Sequence, residues 1–463
     1  MIETNLLDQQ QIKNIHFVGI GGISMSGLAE ILLNQGYKIS GSDMKTSNIT
    51  DRLSSLGVKI YPFHSGENIK NPDLIIYTAA VKKDNPELIR GQELGIKTIE
   101  RSVLLGQIMK QYSYSINISG THGKTTTTSM VTMIMLEADL NPTVHIGGEL
   151  NAIGGNTRIG GNKYFVTEAC EYVESFLKFY PYLAIILNIE ADHLDYFKGI
   201  DHIKEAFLKF ARLIPKDGYL VLNTDDSNIL DLIDKVDCNK VTYGIYSKNS
   251  EWQAKDIEFD EHGYGSYMLV KSNEDLGRVN LSVTGIHNVS NSLAAAAACF
   301  TAGCSIESIK LGLKKFTGTH RRFETKGVIN EIKVVDDYAH HPSEIMATLK
   351  AAQNTPHNKL WCIFQPHTYT RTKALLNDFS NSFNDADYVI VSDIYAAREL
   401  DTGEINSTVL AEKINTVVPK AKYIKSFDEI AKHLHENAKP GDLIITMGAG
   451  DIYKVGEIFL NDR

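Results

Sequence analysis

The chain has 463 residues, of which 43% are apolar and 22% charged, and its formal net charge at pH 7 is −9. At roughly 100–200 residues per domain, this length predicts two to four domains, each large enough to bury its own core. The ordinary apolar and charged fractions exclude a disordered or collagen-like chain. The acidic net charge, with no basic stripe to offset it, argues against a nucleic-acid-binding protein.

The sequence carries no sign of membrane insertion or export. No apolar run approaches the roughly 18–20 residues that a membrane span needs, and the N-terminus lacks the basic-then-apolar order of a signal peptide. The five cysteines are an odd number and form no CxxC pair. This indicates reduced thiols rather than a disulfide framework or a zinc site. We therefore expect a cytoplasmic protein that does not enter a membrane.

Short β-rich apolar runs alternate with helical stretches along nearly the whole chain, which is typical of parallel α/β domains. We predict an N-terminal Rossmann-like domain over residues 1–110, a central domain like a P-loop ATPase over 111–318, and a C-terminal Rossmann-like domain over 319–463. The central parallel sheet carries a β-rich insertion at about 252–284. A helix containing five consecutive alanines, 294–298, follows it. The predicted fold class is therefore α/β in three domains.

The strongest motif is Ser-Gly-Thr-His-Gly-Lys-Thr-Thr at residues 119–126, between a predicted strand and a predicted helix. Glycines let backbone N–H groups wrap phosphate oxygens, and the helix N-terminus adds partial positive charge. Lys124 would reach the β- and γ-phosphates, and the Thr125 hydroxyl would hold Mg²⁺. Ile118 replaces the glycine that usually lies six residues before the lysine. The predicted ATP-binding residues here are Gly120, Thr121, His122, Gly123, Lys124, Thr125 and Thr126.

Mg²⁺ needs further oxygen ligands, which usually come from an acidic residue at the end of a neighbouring strand. Glu168 closes the predicted strand at 164–166 and is well placed, and Glu171 lies three residues further on. The run at 188–195 follows the next strand and contains four ionisable groups. Such a run can be an ordinary solvated loop, but beside a phosphate loop it favours a metal or substrate role for His193.

Two asparagines precede the alanine-rich helix. Asn288 and Asn291 are three positions apart, so they lie on one side of its first turn, where their amides could pair with a purine edge. Asn288 is also well suited to cap the helix. From the residues alone we predict that Asn288 is a helix cap.

Polar clusters follow four predicted strands of the C-terminal domain, at residues 336–342, 365–371, 393–399 and 448–451. In an open α/β sheet, ligands bind at the carboxyl ends of the strands. Four such loops on one edge therefore predict a site. Their content of His, Arg and Asp suits a zwitterion or a phosphate.

Residues 19–24, Gly-Ile-Gly-Gly-Ile-Ser, are similar to a dinucleotide-binding fingerprint, with Asp43 24 residues beyond Gly19. Ser24 replaces the expected third glycine, so the match to an NAD motif is poor, although the turn can still bind a diphosphate. An NAD(P)-dependent dehydrogenase is an alternative, but the phosphate loop has no role in it. A nucleotide-dependent interaction protein without catalysis is a further alternative.

Together these motifs resemble the Mur ligase family over essentially the whole chain. The resemblance depends on their order and spacing, and Ile118 before the phosphate loop is normal for that family. The residues that carry it are Gly19 to Gly22, the phosphate loop through Lys124-Thr125, Glu168, residues 190–195, His287-Asn288, residues 321–324, residues 336–342 and residues 365–371.

The resemblance implies that the first domain binds a UDP-sugar, the central domain ATP and Mg²⁺, and the third an amino acid. The implied reaction is the ATP-dependent coupling of L-alanine to the lactyl carboxylate of UDP-N-acetylmuramate through an acyl phosphate. A recycling ligase of the same family, which attaches a ready-made peptide to the same sugar nucleotide, stays open as the nearest alternative. We expect a monomer or a weak homodimer.

By the same resemblance, Asn288 and Asn291 contact the adenine, which replaces the capping role favoured by the residues alone. Arg322 would lie near the nucleotide at the hinge between the second and third domains. Two positions depart from the family pattern. Cys170 lies where many relatives carry an acid, and Thr368 lies where many carry an arginine. The second departure removes one expected contact to the amino-acid carboxylate.

The remaining roles are also implied by the resemblance. Glu168 and His193 would correspond to Mg²⁺ ligands beside Thr125. His341, or a neighbour in its loop, is the candidate acceptor for the amine proton and shares the amino-acid site with Arg371. The predicted catalytic residues are Lys124, His193 and His341, and the predicted UDP-sugar residues are Gly19, Gly21, Gly22, Ser24 and Asp43.

Overall fold

The computed structural model describes residues 6–8, 12–78, 80–397, 399–417 and 420–461. In these ranges the chain forms three successive β-sheets of five, ten and six strands, with helices between the strands. The predicted α/β class in three domains is confirmed. No helix within the described ranges is both long enough and apolar enough to cross a membrane.

The first sheet is parallel, and helices connect most of its strands. Its elements are β1 (Asn14–Val18), α1 (Ile23–Asn34), β2 (Lys38–Ser42), α2 (Asn48–Ser55), β3 (Lys59–Tyr61), β4 (Leu74–Tyr77), α3 (Pro86–Glu93), β5 (Lys97–Glu100) and α4 (Arg101–Met109). The strand order is β3-β2-β1-β4-β5. The order reverses beside β1, so the Gly-rich turn after β1 lies at the switch point where doubly wound sheets bind ligands.

The second sheet has a parallel centre and antiparallel ends. Its elements are β6 (Tyr114–Ser119), α5 (Lys124–Glu137), β7 (Thr143–Leu150), β8 (Gly155–Arg158), β9 (Tyr164–Glu168), β10 (Leu183–Ile186), α6 (Ile200–Ala211), β11 (Tyr219–Asn223), α7 (Ser227–Leu230), β12 (Asn239–Gly244), β13 (Trp252–Phe259), β14 (Tyr264–Lys271), β15 (Glu274–Thr284), α8 (Ile286–Thr301) and α9 (Ile306–Lys315). The strand order is β15-β14-β13-β12-β11-β10-β6-β9-β7-β8. The predicted β-rich insertion is the antiparallel meander β13–β15, which extends this same sheet.

The third sheet is parallel except for its first strand. Its elements are β16 (Glu324–Ile329), β17 (Ile332–Asp337), α10 (Pro342–Ala352), β18 (Leu360–Phe364), α11 (Tyr369–Ala374), α12 (Leu376–Ser380), β19 (Tyr388–Val391), α13 (Ser407–Asn415), β20 (Ala421–Tyr423), α14 (Phe427–Asn437), β21 (Leu443–Met447) and α15 (Tyr453–Asn461). The strand order is β16-β17-β21-β18-β19-β20. The carboxyl ends of β17, β21, β18 and β19 therefore share one edge, as predicted.

The first two domains share a hydrophobic core, whereas the third has cores of its own. One apolar cluster runs from the first sheet through α4 into α6 of the central domain. Gly27 lets α1 approach β7 and β8 closely, because a Cβ there would come within 2.1 Å of Thr157 Oγ1. The two main clusters of the third domain contain no described residue of the other domains. The first two domains thus form one packed body, and the third meets it mainly through polar side chains.

Candidate active site

The predicted phosphate loop joins β6 to α5 as a tight turn. Gly120 has φ 141° and lies against β10, where a Cβ would come within 2.9 Å of Leu187 Cβ. Gly123 has φ 83° and begins α5, and no described side chain caps this helix. An uncapped helix N-terminus leaves backbone N–H groups free for an anion. The loop therefore has the local geometry of a phosphate site.

Lys124 folds back over this loop. Its Nζ lies 2.5 Å from the carbonyl oxygen of Gly120, 3.0 Å from that of Thr121 and 3.0 Å from Glu171 Oε2. Burial disfavours the charged amine, but the carboxylate of Glu171 and the other acidic groups nearby together outweigh burial and raise the pKa of Lys124 above its usual range. Lys124 is therefore an ammonium group placed directly at the position where phosphates would bind.

The two oxygen ligands predicted for Mg²⁺ each lie beside a glycine of β7. Glu168 ends β9 next to β6, and its Oε1 accepts the backbone N–H of Gly147 at 2.8 Å. A Cβ on Gly147 would lie 2.9 Å from Glu168 Oε2, and one on Gly148 would lie 3.0 Å from Thr125 Cγ2. The two glycines thus leave room beside both ligands. Carboxylate and hydroxyl oxygens are the donors that Mg²⁺ prefers, so these residues fit the ion.

His193, the third predicted metal ligand, is held in a strained conformation. Its φ of 53° lies in the left-handed region, which non-glycine residues adopt at a cost and which is common at functional sites. Its ring packs on Tyr172 with centroids 4.6 Å apart, and its Nε2 lies 3.9 Å from Glu171 Oε1. Glu171 therefore lies between His193 and Lys124, so the predicted metal and phosphate residues are brought together.

The predicted adenine residues line a cavity beside the loop. This cavity has a volume of about 210 Å³ and is lined by Asn288 and Asn291 of the central domain and by Arg322 and Asp337 across the boundary. It adjoins a second cavity of about 590 Å³, which shares Asn288 and Arg322. Burial raises the pKa of the Asp337 carboxyl group to about 6. The two cavities together form a space between the second and third domains that contains the residues predicted to bind the nucleotide.

Asn288 does not cap α8, so the prediction made from the residues alone is wrong. The helix begins at Ile286 after Gly285, which has φ 91° and occupies the cap position. Asn288 lies in the first turn, and its amide donates to the carbonyl oxygen of Thr284 at 2.8 Å instead of accepting from the helix. Asn291 donates to Asn288 Oδ1 at 3.2 Å, so both amides are oriented. The adenine contact that the family resemblance implies for these two residues stays a prediction.

The predicted UDP-sugar residues border a cavity between the first and central domains. The cavity has a volume of about 580 Å³ and is lined by Gly19, Gly22, Ser24 and Asp43. Gly21 is not among the lining residues, but its N–H donates to Asp43 Oδ2 at 2.9 Å and so fixes the turn. The opposite wall contains residues at the end of β9. The candidate sugar-nucleotide site and the candidate metal site are therefore neighbours.

The sequence analysis missed Arg101, which is the one arginine or lysine among the described residues that line this cavity. Its Nη1 donates to Ser24 Oγ at 2.8 Å, and the same hydroxyl lies 2.7 Å from His145 Nε2. Burial and the nearby guanidinium lower the pKa of His145 to about 3, so this ring is neutral. Arg101 directly follows β5 at the carboxyl edge of the first sheet, and this position was the signal that could have identified it.

Arg371 and His341, the predicted amino-acid residues, both contact the central domain. Arg371 Nη2 donates to Asp192 Oδ1 at 2.9 Å. Burial opposes ionisation of Asp192, but Arg371 and the nearby histidines together outweigh it and hold the pKa of that carboxyl group well below its usual range. His341 caps α10, with its Nδ1 accepting from Ser343, and its Nε2 lies 3.3 Å from the carbonyl oxygen of Ala191. Both ring nitrogens of His341 are therefore engaged.

The third domain also docks onto the phosphate loop through His122. The His122 Nδ1 lies 3.1 Å from Glu344 Oε1 of the third domain, and its Nε2 lies 3.4 Å from Glu190 Oε2. Burial opposes the charged ring, but the carboxylate of Glu344, assisted by Glu190, raises the pKa of His122 to about 9. A charged loop histidine therefore joins two domains across the nucleotide cavity.

The order of the three domains is that of a known protein family. Three family models match consecutive parts of the chain: the "Mur ligase family, catalytic domain" at residues 14–113, the "Mur ligase middle domain" at 118–299 and the "Mur ligase, glutamate ligase domain" at 321–450. Together they cover most of the chain. The chain belongs to the Mur ligase family.

Individual relatives are similar over the full length. The chain is 62% identical over 463 residues to the UDP-N-acetylmuramate–L-alanine ligase of Acetivibrio thermocellus, covering 100% of this chain and 99% of that protein. The solved structure of the UDP-N-acetylmuramate-alanine ligase from Thermotoga maritima is 30% identical, with a TM-score of 0.81 and coverage of 96% and 98%. A murein peptide ligase from Psychrobacter arcticus is 28% identical, with a TM-score of 0.72 and coverage of 97% and 98%.

Proposed function

We propose that this Mur ligase joins L-alanine to the lactyl carboxylate of UDP-N-acetylmuramate and converts ATP to ADP and phosphate, in the synthesis of peptidoglycan precursors. One structural observation carries the proposal. Glu168 borders the cavity of the first domain, and Glu171, three residues away, holds Lys124 on the phosphate loop. A carboxylate on a ligand in that cavity can therefore approach a γ-phosphate on the loop. The full-length identity to an alanine ligase supports L-alanine as the second substrate.

In the first step, a carboxylate oxygen of the sugar nucleotide attacks the γ-phosphorus of ATP, which gives an acyl phosphate and ADP. Both reactants are anions, so the site must offset their repulsion. Lys124 places its ammonium group at the phosphates, and Arg101 supplies a fixed positive charge on the sugar side. Mg²⁺ bound by Thr125, Glu168 and His193 would neutralise phosphate charge.

In the second step, the amine of L-alanine attacks the acyl carbon and phosphate departs. An acyl phosphate hydrolyses in water, so the site must close before it forms. The contact of His122 with Glu344 brings the third domain against the loop. The same closure places Arg371, a candidate partner for the amino-acid carboxylate, beside Asp192 of the central domain. Closure therefore excludes water and aligns the second substrate.

A ligase that adds a ready-made peptide is the second candidate, because a murein peptide ligase has a similar structure over 97% of this chain. The test is phosphate release from ATP and Mg²⁺ with UDP-N-acetylmuramate, with L-alanine or an L-alanyl peptide added in parallel. We expect release that depends on free L-alanine. Release only with the peptide would assign the chain to the recycling branch. No release with either would overturn the substrate assignment.

We further propose a cytoplasmic location and a monomer or weak homodimer. All five cysteines lie within the described ranges and are free thiols, which is the usual state in a reducing compartment. Sedimentation at several protein concentrations would measure the oligomeric state.

A further inference from the structure

Two adjacent histidines follow β17, and their ring nitrogens have different surroundings. Both nitrogens of His341 are engaged, one with Ser343 and one facing Ala191. The Nδ1 of His340 lies 3.0 Å from the carbonyl oxygen of Tyr338 and 3.2 Å from Glu344 Oε2. Both of these oxygens only accept hydrogen bonds, so Nδ1 must carry the ring proton. In the neutral ring, Nε2 therefore keeps its lone pair.

The other ring nitrogen of His340, Nε2, has different surroundings. No described residue forms a hydrogen bond with it, and the side chain is 18% exposed. Burial, together with the nearby guanidinium of Arg371, lowers the pKa of His340 to about 4 against the opposing effect of Glu344 and Asp192. The ring is therefore neutral at physiological pH.

The neighbours of His340 are the groups expected to hold the amino acid. Its ring lies 5.7 Å from that of His367, whose Nδ1 is 3.2 Å from Arg371 Nη1. Arg371 in turn is paired with Asp192. A zwitterion bound between Arg371 and Asp192 would place its nitrogen close to His340.

We propose that His340 is the general base of amide-bond formation, with Nε2 accepting a proton from the attacking nitrogen. This inference depends on the proposed function. As the neutral amine forms its bond to the acyl carbon, the nitrogen becomes acidic and gives one proton to Nε2. The carbon–oxygen bond to phosphate then breaks and phosphate leaves with the electron pair. The imidazolium returns its proton to the departing phosphate, directly or through solvent.

Other groups at this edge are less suited to the role. His367 accepts from Arg371 at Nδ1, so its Nε2 carries the ring proton and is a donor. The charge of Asp192 is already offset by Arg371, whose Nε and Nη2 both donate to Asp192 Oδ1. His341 uses both nitrogens to cap α10 and contact the central domain. Among the three histidines, only His340 has an unprotonated ring nitrogen with no hydrogen-bond partner in the described part of the chain.

Two substitutions separate the chemical role from the structural one. In His340→Asn the amide N–H₂ takes the place of Nδ1 and keeps the donor to Tyr338, but the acceptor at Nε2 is lost. In His340→Gln the amide falls near the position of Nε2 and the donor to Tyr338 is lost. The control for a His→Asn change is His433→Asn on α14, whose ring packs beside Trp361 near the start of β18, away from the site edge.

The experiment compares two nucleophiles in the full-length protein with ATP, Mg²⁺ and UDP-N-acetylmuramate. Hydroxylamine traps acyl phosphates as hydroxamates without help from a base, whereas L-alanine needs one. We expect His340→Asn to lower the rate of L-alanine ligation by about 10²- to 10⁴-fold, the usual contribution of a general base. Hydroxamate formation should stay at the wild-type rate. Added imidazole should restore part of the ligation.

Three outcomes would count against the inference. Ligation of L-alanine by His340→Asn at the wild-type rate overturns it directly. An equal loss of ligation and hydroxamate formation, with His340→Gln behaving in the same way and no rescue by imidazole, shows that His340 is only structural. A wild-type protein that makes neither product from UDP-N-acetylmuramate overturns the proposed function and this inference with it. This last outcome can be told from the other two, because in it the wild-type protein itself forms no product.

Discussion

Arg371 of the third domain and Asp192 of the central domain form an ion pair across the domain boundary. The Nη2 and Nε atoms of Arg371 lie 2.9 Å and 3.2 Å from the same oxygen, Asp192 Oδ1. Their side chains are only 11% and 9% exposed. The carboxylate of an amino acid can pair with Arg371 and its ammonium group with Asp192. A bound zwitterion can therefore replace the contact between the two side chains with a contact to each of them. The pair therefore keeps the third domain closed and its charges in place before the amino acid binds.

We expect Arg371→Lys to raise the KM for L-alanine roughly 10- to 100-fold, the effect of losing one hydrogen bond to a charged group. Lysine keeps the charge but not the planar pair of N–H donors. The KM for ATP should stay unchanged. Initial rates of phosphate release at varied L-alanine measure the effect. Asp195→Asn, in the same loop as Asp192 but exposed, is the control. An unchanged KM for L-alanine in Arg371→Lys would exclude this arginine from the amino-acid site.

The ion pair between Lys124 and Glu171 allows the effect of a substitution on stability to be distinguished from its effect on activity. Lys124→Met should lower the rate of ADP formation at least about 10²- to 10³-fold, because the charge opposite the phosphates is lost. It should also lower the free energy of unfolding by about 3–5 kcal/mol, because Glu171 is only 3% exposed and would lose its lysine partner. The double variant Lys124→Met/Glu171→Gln should recover stability and not activity.

Urea unfolding and ADP release, measured side by side, test this pair of expectations. Glu174→Gln, at a more exposed position in the same segment, is the control for the carboxylate change. Equal stability of Lys124→Met and the wild type would contradict the contribution assigned to the pair.

Local motifs made the central domain predictable from sequence. The strand before Ser119, the glycine-rich turn and the helix from Lys124 follow from local rules of propensity and phosphate binding, and Glu168 ends the next strand of the sheet. The short edge strands β3 and β20 were not predicted, because three residues with little burial carry almost no periodic signal.

Contacts between residues far apart in the sequence could not be predicted from local patterns. His122 could be placed on the phosphate loop, but its partner Glu344 is 222 positions away and is brought to it only by domain docking. The role of Gly285 at the start of α8 depends on a backbone angle of φ 91°, which the pattern of side chains does not predict. Asn288 was therefore predicted to be a cap from its residue type alone, and that prediction was wrong.

Arg101 should determine the affinity for the sugar nucleotide. It supplies the fixed positive charge of the cavity between the first two domains and is oriented by Ser24. We expect Arg101→Met to raise the KM for UDP-N-acetylmuramate roughly 10- to 100-fold and to leave the KM for ATP unchanged. Calorimetric titration with the sugar nucleotide alone measures this without catalysis. Arg90→Met is the control, because Arg90 is exposed and pairs only with Glu93 in the described structure. Equal affinities in the two variants would exclude Arg101 from the site.

His122 makes the stability of the closed protein depend on pH. Burial opposes its charge, yet Glu344 and Glu190 raise its pKa from 6.5 to about 9 in the folded state. A group whose pKa is higher in the folded state contributes stability that is fully present below its unfolded pKa and is lost as the pH rises through its folded pKa. The stabilisation from His122 should therefore be complete below about pH 6.5 and should be lost as the pH rises from there through about 9.

The measurement is the difference in melting temperature between the wild type and His122→Asn across this range of pH. We expect the difference to be largest at the acidic end and to shrink steadily toward the alkaline end, because the neutral ring no longer pairs with Glu344. Glu344→Gln, which removes the partner of His122, should lose the same pH dependence of the melting temperature. The melting temperature of His433→Asn should change with pH as that of the wild type does. A difference that is constant with pH would mean that His122 is not charged in the closed protein, and the docking of the third domain on the phosphate loop would then depend on neutral hydrogen bonds alone.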